Sequence, residues 1–444
     1  MLGFGYQVVV SALHDPTDVG RVLGGALDVV LAAGGDPWVA DDLDRPEPFV
    51  LVVGTGGTEH LVLDAWAART AGRRAGAALL VTHPGHNSLP AALEALARLH
   101  QDGQRGRIVH LAGLDHDADV ATLRAAVDDL RTWGELVETR IGLVGEPSDW
   151  LVASSPPATA VAARWGPTVV PVPIRDLVER TRGVPWRAVR SLAADLMVAA
   201  EGLDGPEPPA LVDASRVYPA LRSLADEHHL DALSVRCFDL VTELRTSGCV
   251  ALAKCNDERL VAGCEGDLVS TIAMVWAERL LDQIPWMANP ATLDPAAGTV
   301  ALAHCTVPRS IVEGYRLRSH FESGEGVGIE GHIPLGPVTM VRLGGRHLDR
   351  VWLAEGQIVA DGADPDRCRT QILVRLDRGG TVDDLLHRPL GNHLVVVPGA
   401  HLDRLRRWWD LFVAPLEHDE ALAVTERRVV PTSDRAAVPP SGWC

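Results

Sequence analysis

Residues 237–270 read CFDLVTELRTSGCVALAKCNDERLVAGCEGDLVS. Within this stretch VAGCEG (261–266) is strand-like, and LVSTIAMVWAERLL (268–281) has the apolar periodicity of a helix. Asp267 lies between them, where a helix N-cap belongs. Free amide hydrogens and the helix dipole keep a carboxylate ionised at that position. A strand feeding a capped helix is the repeating unit of a parallel sheet, and α/β proteins collect their ligands at the carboxyl ends of such strands. On spacing alone Asp267 serves as a cap; a functional role depends on the rest of the chain.

Upstream the same unit recurs. YQVVVSA (6–12) reads as a strand, Asp18–Ala33 as a helix and PFVLVVG (48–54) as a fully apolar strand. GTGGTEH then leads into a helix from about Leu61 to Ala71. AALLVTHPGHNSLPAALEALARL supplies another strand, loop and helix, RIVHLAG (107–113) a further strand, and Asp119–Trp133 a further helix. This alternation predicts a parallel sheet covered by helices. RIGLVGEPSDWLVAS (140–154) starts the series again. A strand at 168–172, helices near 173–182, 187–202 and 208–228, and the strand DALSVRCF (231–238) lead back to the opening stretch. Downstream of DQIPWMANPATLDP short strands with Gly, Pro and Asp turns follow one another, from GTVALAHC to GNHLVVVPG, and a helix His401–Phe412 closes them. That texture predicts an antiparallel barrel or sandwich. The expected plan is therefore two successive α/β domains, 1–139 and 140–290, an antiparallel β-barrel-like domain at 291–428, and a loose Pro-rich tail at 429–444.

The 444 residues are 47% hydrophobic and 23% charged, an ordinary globular composition with ample material for several cores. No apolar run approaches the roughly 18 residues of a membrane span. MLGFGYQVVVSAL lacks the basic start and cleavage site of a leader, so a cytoplasmic location is expected. A net charge of −18 argues against a nucleic-acid partner. The seven cysteines show no CxxC pair and are expected to be reduced, buried thiols. Every basic residue but Lys254 is arginine, which draws attention to Lys254 because an ammonium and a guanidinium differ in size and hydration.

Glu243, Asp267 and His393 fall in or beside strand ends and loops. Two carboxylates and an imidazole suit a divalent metal such as Mn²⁺ with open positions for substrate oxygens, although their spacing carries no signal of its own. His304 ends the apolar strand VALAH and is a further ligand, a substrate contact or a core residue. His83, His86 and Asn87 occupy a loop after a strand, where Asn87 or Ser88 would cap the next helix. The GTGGT turn fits neither GxGxxG nor a Walker A loop. GxSxG, HExxH and the calcium loop are absent from the sequence.

The series CEGDLVSTIAM, AHCTVPRS, HFESGEGVGIEG, CRTQI and PLGNH resembles the L-fucose isomerase and L-arabinose isomerase superfamily, and is closest to its shorter fucose isomerase-like branch, which includes sulfoquinovose isomerases. TGGTEH and NSLPAALEALA resemble that branch too. The resemblance implies two α/β domains, a C-terminal β domain, and Mn²⁺ (or another divalent metal) held by Glu243, Asp267 and His393. It also implies that Asn392 contacts the substrate, with Trp286 as a further counterpart. It implies a homo-oligomer, trimer or hexamer, in which Thr58, Glu59, His83 and Asn87 of one subunit complete a neighbour's site.

The activity so implied is aldose–ketose isomerisation of a small sugar of the fucose, arabinose or sulfoquinovose type. Glu243 and Asp267 would act both as ligands and as acid and base around an ene-diol. His304 and Lys254 would contact the substrate, Lys254 by neutralising an anionic group. A non-catalytic sugar-binding or regulatory protein on the same fold, and a metal-dependent lyase acting on sugars, are the competing readings.

Overall fold

The structure is a computed structural model that describes residues 3–14, 19–74 and 76–416. The expected tail at 429–444 lies outside the described residues. Strands β1 (Phe4–Val9), β2 (Gly35–Pro37), β3 (Phe49–Val53), β4 (Ala77–Thr82) and β5 (Arg105–His110) form a parallel sheet in the order β2-β1-β3-β4-β5. β3 shows why the run FVLVV reads as fully apolar. Val50 and Val52 enter a core with helices Gly25–Ala32 and His116–Glu138, while Leu51 and Val53 enter the core beneath Glu59–Thr70 and Ser88–Gln101. A strand with helices on both faces has no polar side to alternate with. The helix expected over 18–33 is broken at Gly24, whose φ is 51°.

The second series builds a parallel sheet from β6 (Arg140–Val144), β7 (Thr168–Val172), β9 (Ala232–Val235) and β10 (Val261–Cys264), in the order β10-β9-β6-β7. The two-residue β8 (Leu203–Asp204) leaves this unit and pairs instead with β13 (Gly314–Arg318), itself paired with β14 (Gly328–His332). The closed antiparallel barrel contains β11 (Trp286–Asp294), β12 (Thr299–His304), β15 (Gly336–Gly344), β16 (Arg350–Asp361), β17 (Thr370–Gly379) and β18 (Leu394–Pro398), in the order β11-β12-β17-β16-β15-β18. An α/β protein with two parallel sheets followed by an antiparallel barrel is thus the observed fold class. β11, the first barrel strand, spans Trp286–Asp294, a stretch to which the sequence reading assigned no strand.

Helix Leu268–Leu281 is buried on nearly all sides. It sits between the second sheet, helix His116–Glu138 and barrel strands β15 and β18, which is why its sequence is apolar around the whole turn. Burial of each large apolar side chain stabilises by roughly 1.5–3 kcal/mol, so this helix is a principal joint of the fold. Helix Leu402–Phe412 returns Trp408, Trp409 and Phe412 to the same core, against Trp133, Trp165 and Trp276. Trp408 Nε1–H donates to the Asp129 carbonyl at 3.1 Å. Among the described cysteines all are free thiols, four of them buried. No helix among the described residues is long and apolar enough to cross a membrane.

Candidate metal centre

The carboxyl edge of the second sheet faces the barrel, and the chemistry gathers there. β10 ends at Cys264. Glu265 and Gly266 follow with φ of 63° and 69°, two consecutive left-handed residues. The backbone can make this turn because Gly266 N–H donates to the Val235 carbonyl (3.0 Å) and Ser148 N–H to the Glu265 carbonyl (2.9 Å). A Cβ at Gly266 would lie 2.8 Å from Pro147 Cα. A non-glycine residue held left-handed costs of order 1–3 kcal/mol and persists only where its surroundings over-determine it. Here the turn aims the Glu265 carboxylate inward, with Asp267 starting the next helix.

Glu265, His304 and His393 are buried and offer ligand atoms that all lie within 4.8 Å of one another. His393 precedes β18 and is fully buried. Its Nδ1 lies 2.8 Å from Asp267 Oδ2, while its Nε2 is 3.4 Å from Glu265 Oε1, too far for a formed hydrogen bond, and has no other partner among the described residues. With Nδ1 toward Asp267, Nε2 is the ring atom turned to the group, and a metal bound there would displace its proton. His304 ends β12, with Thr306 N–H donating to its Nδ1 at 3.2 Å. Trp150 Nε1–H donates to Glu265 Oε2 at 2.6 Å. Trp150, Phe238 and His320 form a chain of edge-on ring contacts at the rim.

Behind His393, Asp267 is saturated. Its Oδ1 accepts from Ser270 N–H (2.8 Å), so it caps the helix as expected. Its Oδ2 accepts from Ser270 Oγ–H (2.8 Å), His393 (2.8 Å) and the guanidinium of Arg342 (3.3 Å). Arg342, on β15, is 2% exposed and also donates to Ser270 Oγ (2.7 Å) and Ser154 Oγ. Gly391 makes room for it: φ there is 152°, and a Cβ would lie 1.9 Å from an Arg342 nitrogen.

These contacts set the charges. Burial alone would raise the Asp267 pKa, but the Arg342 charge and the His393 hydrogen bond outweigh it and hold the carboxyl well below the usual range. Burial opposes the charged ring of His393, yet the bond to Asp267 and then the nearby Glu265 lift it to about 9. Glu265 is likewise pushed up by burial and pulled down more strongly by His393 and Trp150, ending below its ordinary value. Burial, followed by the His393 charge, drives His304 down to about 3, so this ring is neutral at physiological pH.

The sequence-expected residues divide. Asp267, His304 and His393 come together. Glu243 does not: it lies on helix Phe238–Leu244 with its side chain 58% exposed, paired with Arg182 at 3.4 Å. The carboxylate beside His393 is Glu265 instead, and Asp267 is placed to orient that histidine. Lys254 is on helix Cys249–Asp257, bonded to Glu258 (2.6 Å) and over the Tyr218 ring, apart from this group. Trp286 is core: it is 1% exposed, and its Nε1–H donates to the Thr306 carbonyl (2.7 Å), steadying the turn after His304. Asn392 is exposed beside His393. Thr58 and His83 are buried at the carboxyl ends of β3 and β4. Thr58 Oγ1–H donates to the Thr55 carbonyl (2.7 Å), and His83 Nε2 lies 2.9 Å from the Gly54 carbonyl. Glu59 opens helix Glu59–Thr70, and Asn87 stands left-handed at a helix start without a side-chain cap bond. Glu265, Ser270, Arg342 and Trp150 were not singled out from the sequence. The nearest signal was the CEGD turn itself, where one acidic residue adjoins the expected cap.

A parallel-sheet α/β chain with a barrel and a buried Glu/His/His group is the class that fold and site define. No family model matches the chain. It is 26% identical over 178 residues to a sulfoquinovose isomerase of Clostridium sp. (strain MSTE9), a match spanning 39% of this chain and 38% of that protein.

Proposed function

We propose that the chain is a metal-dependent sugar isomerase interconverting an aldose and a ketose. The observation that carries this reading is the buried Glu265–His304–His393 group, with His393 Nε2 left without a hydrogen-bond partner among the described residues. That nitrogen, the Glu265 carboxylate and the neutral His304 ring give the donor set of a divalent transition metal, which would displace the His393 proton on binding. The similarity to a sugar isomerase supports the substrate class. A cation such as Mn²⁺ bound there would polarise a sugar's carbonyl and adjacent hydroxyl and ease loss of the proton between them.

The chain's own residues do the rest. Asp267 fixes the His393 ring and its tautomer, as carboxylates commonly do for ligating histidines. Glu265, buried and ionised, takes the dual part of ligand and proton acceptor that the sequence reading gave to Glu243 and Asp267. His304 presents a neutral ring to the same space, and Trp150 holds the second oxygen of Glu265. Thr58, Glu59, His83 and Asn87 then belong to an edge that serves a neighbouring subunit in a homo-oligomer.

Glu265→Gln tests the assignment. It should lower metal content and reduce turnover of the responsive aldose at least 10²-fold with an unchanged far-UV spectrum. Wild-type turnover in that variant, or a wild-type protein that neither retains nor responds to Mn²⁺, Co²⁺ or Zn²⁺, would sink it.

A further inference from the structure

A cleft of about 860 Å³ lies at the amino ends of β1, β3 and β4, the edge of the first sheet opposite to Thr58 and His83. Its walls carry Arg69, Arg73 and Arg74 together with Trp38, Trp66 and Trp133. Each of these arginines is held in place by backbone. Arg69 donates to the carbonyls of Leu43, Arg45 (2.7 Å) and Glu47 (2.8 Å), Arg73 to that of Asp44, and Arg74 to those of Ala162 and Ala163 (2.6 Å). Among the described residues none of the three is ion-paired with a carboxylate. The nearby acids Asp36 and Glu47 engage Arg45 instead, at 3.8 and 3.5 Å. Asp36, Glu47, Glu135 and Glu138 also line the cleft, and the charges of Glu47 and Asp44 act on Arg69, but among the described residues none of these carboxylates closes an ion pair with the three arginines.

The tryptophans add a second, independent observation. Trp38, Trp66 and Trp133 are 5%, 7% and 8% exposed, and none of their Nε1–H groups has a hydrogen-bond partner among the described residues. Buried indole N–H groups ordinarily find an acceptor. Indole and guanidinium groups are donors only, so an acceptor-rich anion suits them, although Glu47 Oε2 in the same lining is an acceptor that also lacks a partner among the described residues. The rings supply flat apolar wall beside those donors: Trp38 stacks on Phe49 at 5.8 Å, and Arg74 lies 5.3 Å over Trp133. The volume is that of a small-molecule site.

We propose that this cleft is a second ligand site, for a phosphate or sulfonate group carried on a flat apolar body. It is separate from the Glu265–His304–His393 group and does not depend on the activity assigned to that group.

Calorimetric titration of the full chain with 1-naphthyl phosphate and 1-naphthalenesulfonate tests the proposal, with neutral 1-naphthylmethanol as control. At least one anion should bind saturably and at least tenfold tighter than the alcohol, and inorganic sulfate should weaken it. Which anion binds tighter identifies the preferred headgroup. Arg73→Gln with Arg74→Gln should weaken anion binding at least tenfold, whereas His393→Ala should leave it unchanged. Should the double variant not fold, the wild-type comparison with the alcohol and with sulfate decides alone. Equal affinity for the alcohol, no saturable binding, indifference to sulfate, or loss of binding in His393→Ala would overturn the proposal.

Discussion

Asp267→Asn separates capping from charge at one atom. Oδ1 of Asp267 caps the helix through Ser270 N–H, and Oδ2 accepts from Ser270 Oγ–H, His393 and Arg342. Asparagine is as good a cap as aspartate, so if its oxygen stays on Ser270 N–H the helix start survives. Its NH₂ then faces three donors. Arg342, 2% exposed, loses the one carboxylate it pairs with among the described residues, and stranding one partner of a buried pair costs roughly 3–5 kcal/mol. Turning the amide over restores an acceptor to His393 but exposes Ser270 N–H, costing about 1 kcal/mol for the cap without returning the charge. The prediction is a loss of about 3–5 kcal/mol in urea unfolding at pH 7. In parallel, metal affinity should fall about 10–100-fold as His393 loses its orienting partner. A loss under 1 kcal/mol with unchanged Mn²⁺ titration would refute the reasoning.

Gly391→Ala should destabilise by several kcal/mol, because its Cβ would meet Arg342 at 1.9 Å on a backbone with φ of 152°; a thermal melt within 1 °C of wild type would contradict this. Glu243→Gln should change stability by no more than about 1 kcal/mol and leave turnover near wild type, since the Arg182 pair is exposed; a hundredfold loss of turnover would return Glu243 to the site. His83 is held neutral, burial being the first cause of its lowered pKa and the charges of His86 and His110 adding to it. Its contribution is fully present above the unfolded value near 6.5 and is lost as pH falls below it, at up to about 1.4 kcal/mol per pH unit. Relative to His83→Gln, wild type should therefore lose stability between pH 7 and pH 5, and a constant difference across that interval would refute the assignment.

The chain's layout is legible in its local periodicities. Alternating apolar strands and amphipathic helices up to the second sheet, then short strands with Gly and Asp turns, identify two parallel sheets and a barrel, since secondary structure answers to neighbours three or four residues away. Asp267 as an N-cap is legible for the same reason: a cap is satisfied within one turn, by Ser270. β11, by contrast, is not legible as a strand, because Pro, Asn and Asp dilute its pattern and only pairing with β12 and β18 makes it one.

Which carboxylate meets His393 could not be read that way. Glu243 and Glu265 are both acidic residues near strand ends, and no local rule separates them. The tertiary structure separates them by backbone direction. Helix Phe238–Leu244 turns Glu243 to solvent, while a left-handed turn, held by Pro147 and the Val235 carbonyl, turns Glu265 inward. The same is true of Asp267. Its position in sequence makes it a cap, but only Arg342 and His393, arriving from barrel strands far along the chain, make it the charge that orients a histidine. A cap is a property of one helix, whereas a metal-binding geometry is a property of three elements packed to within a few ångströms.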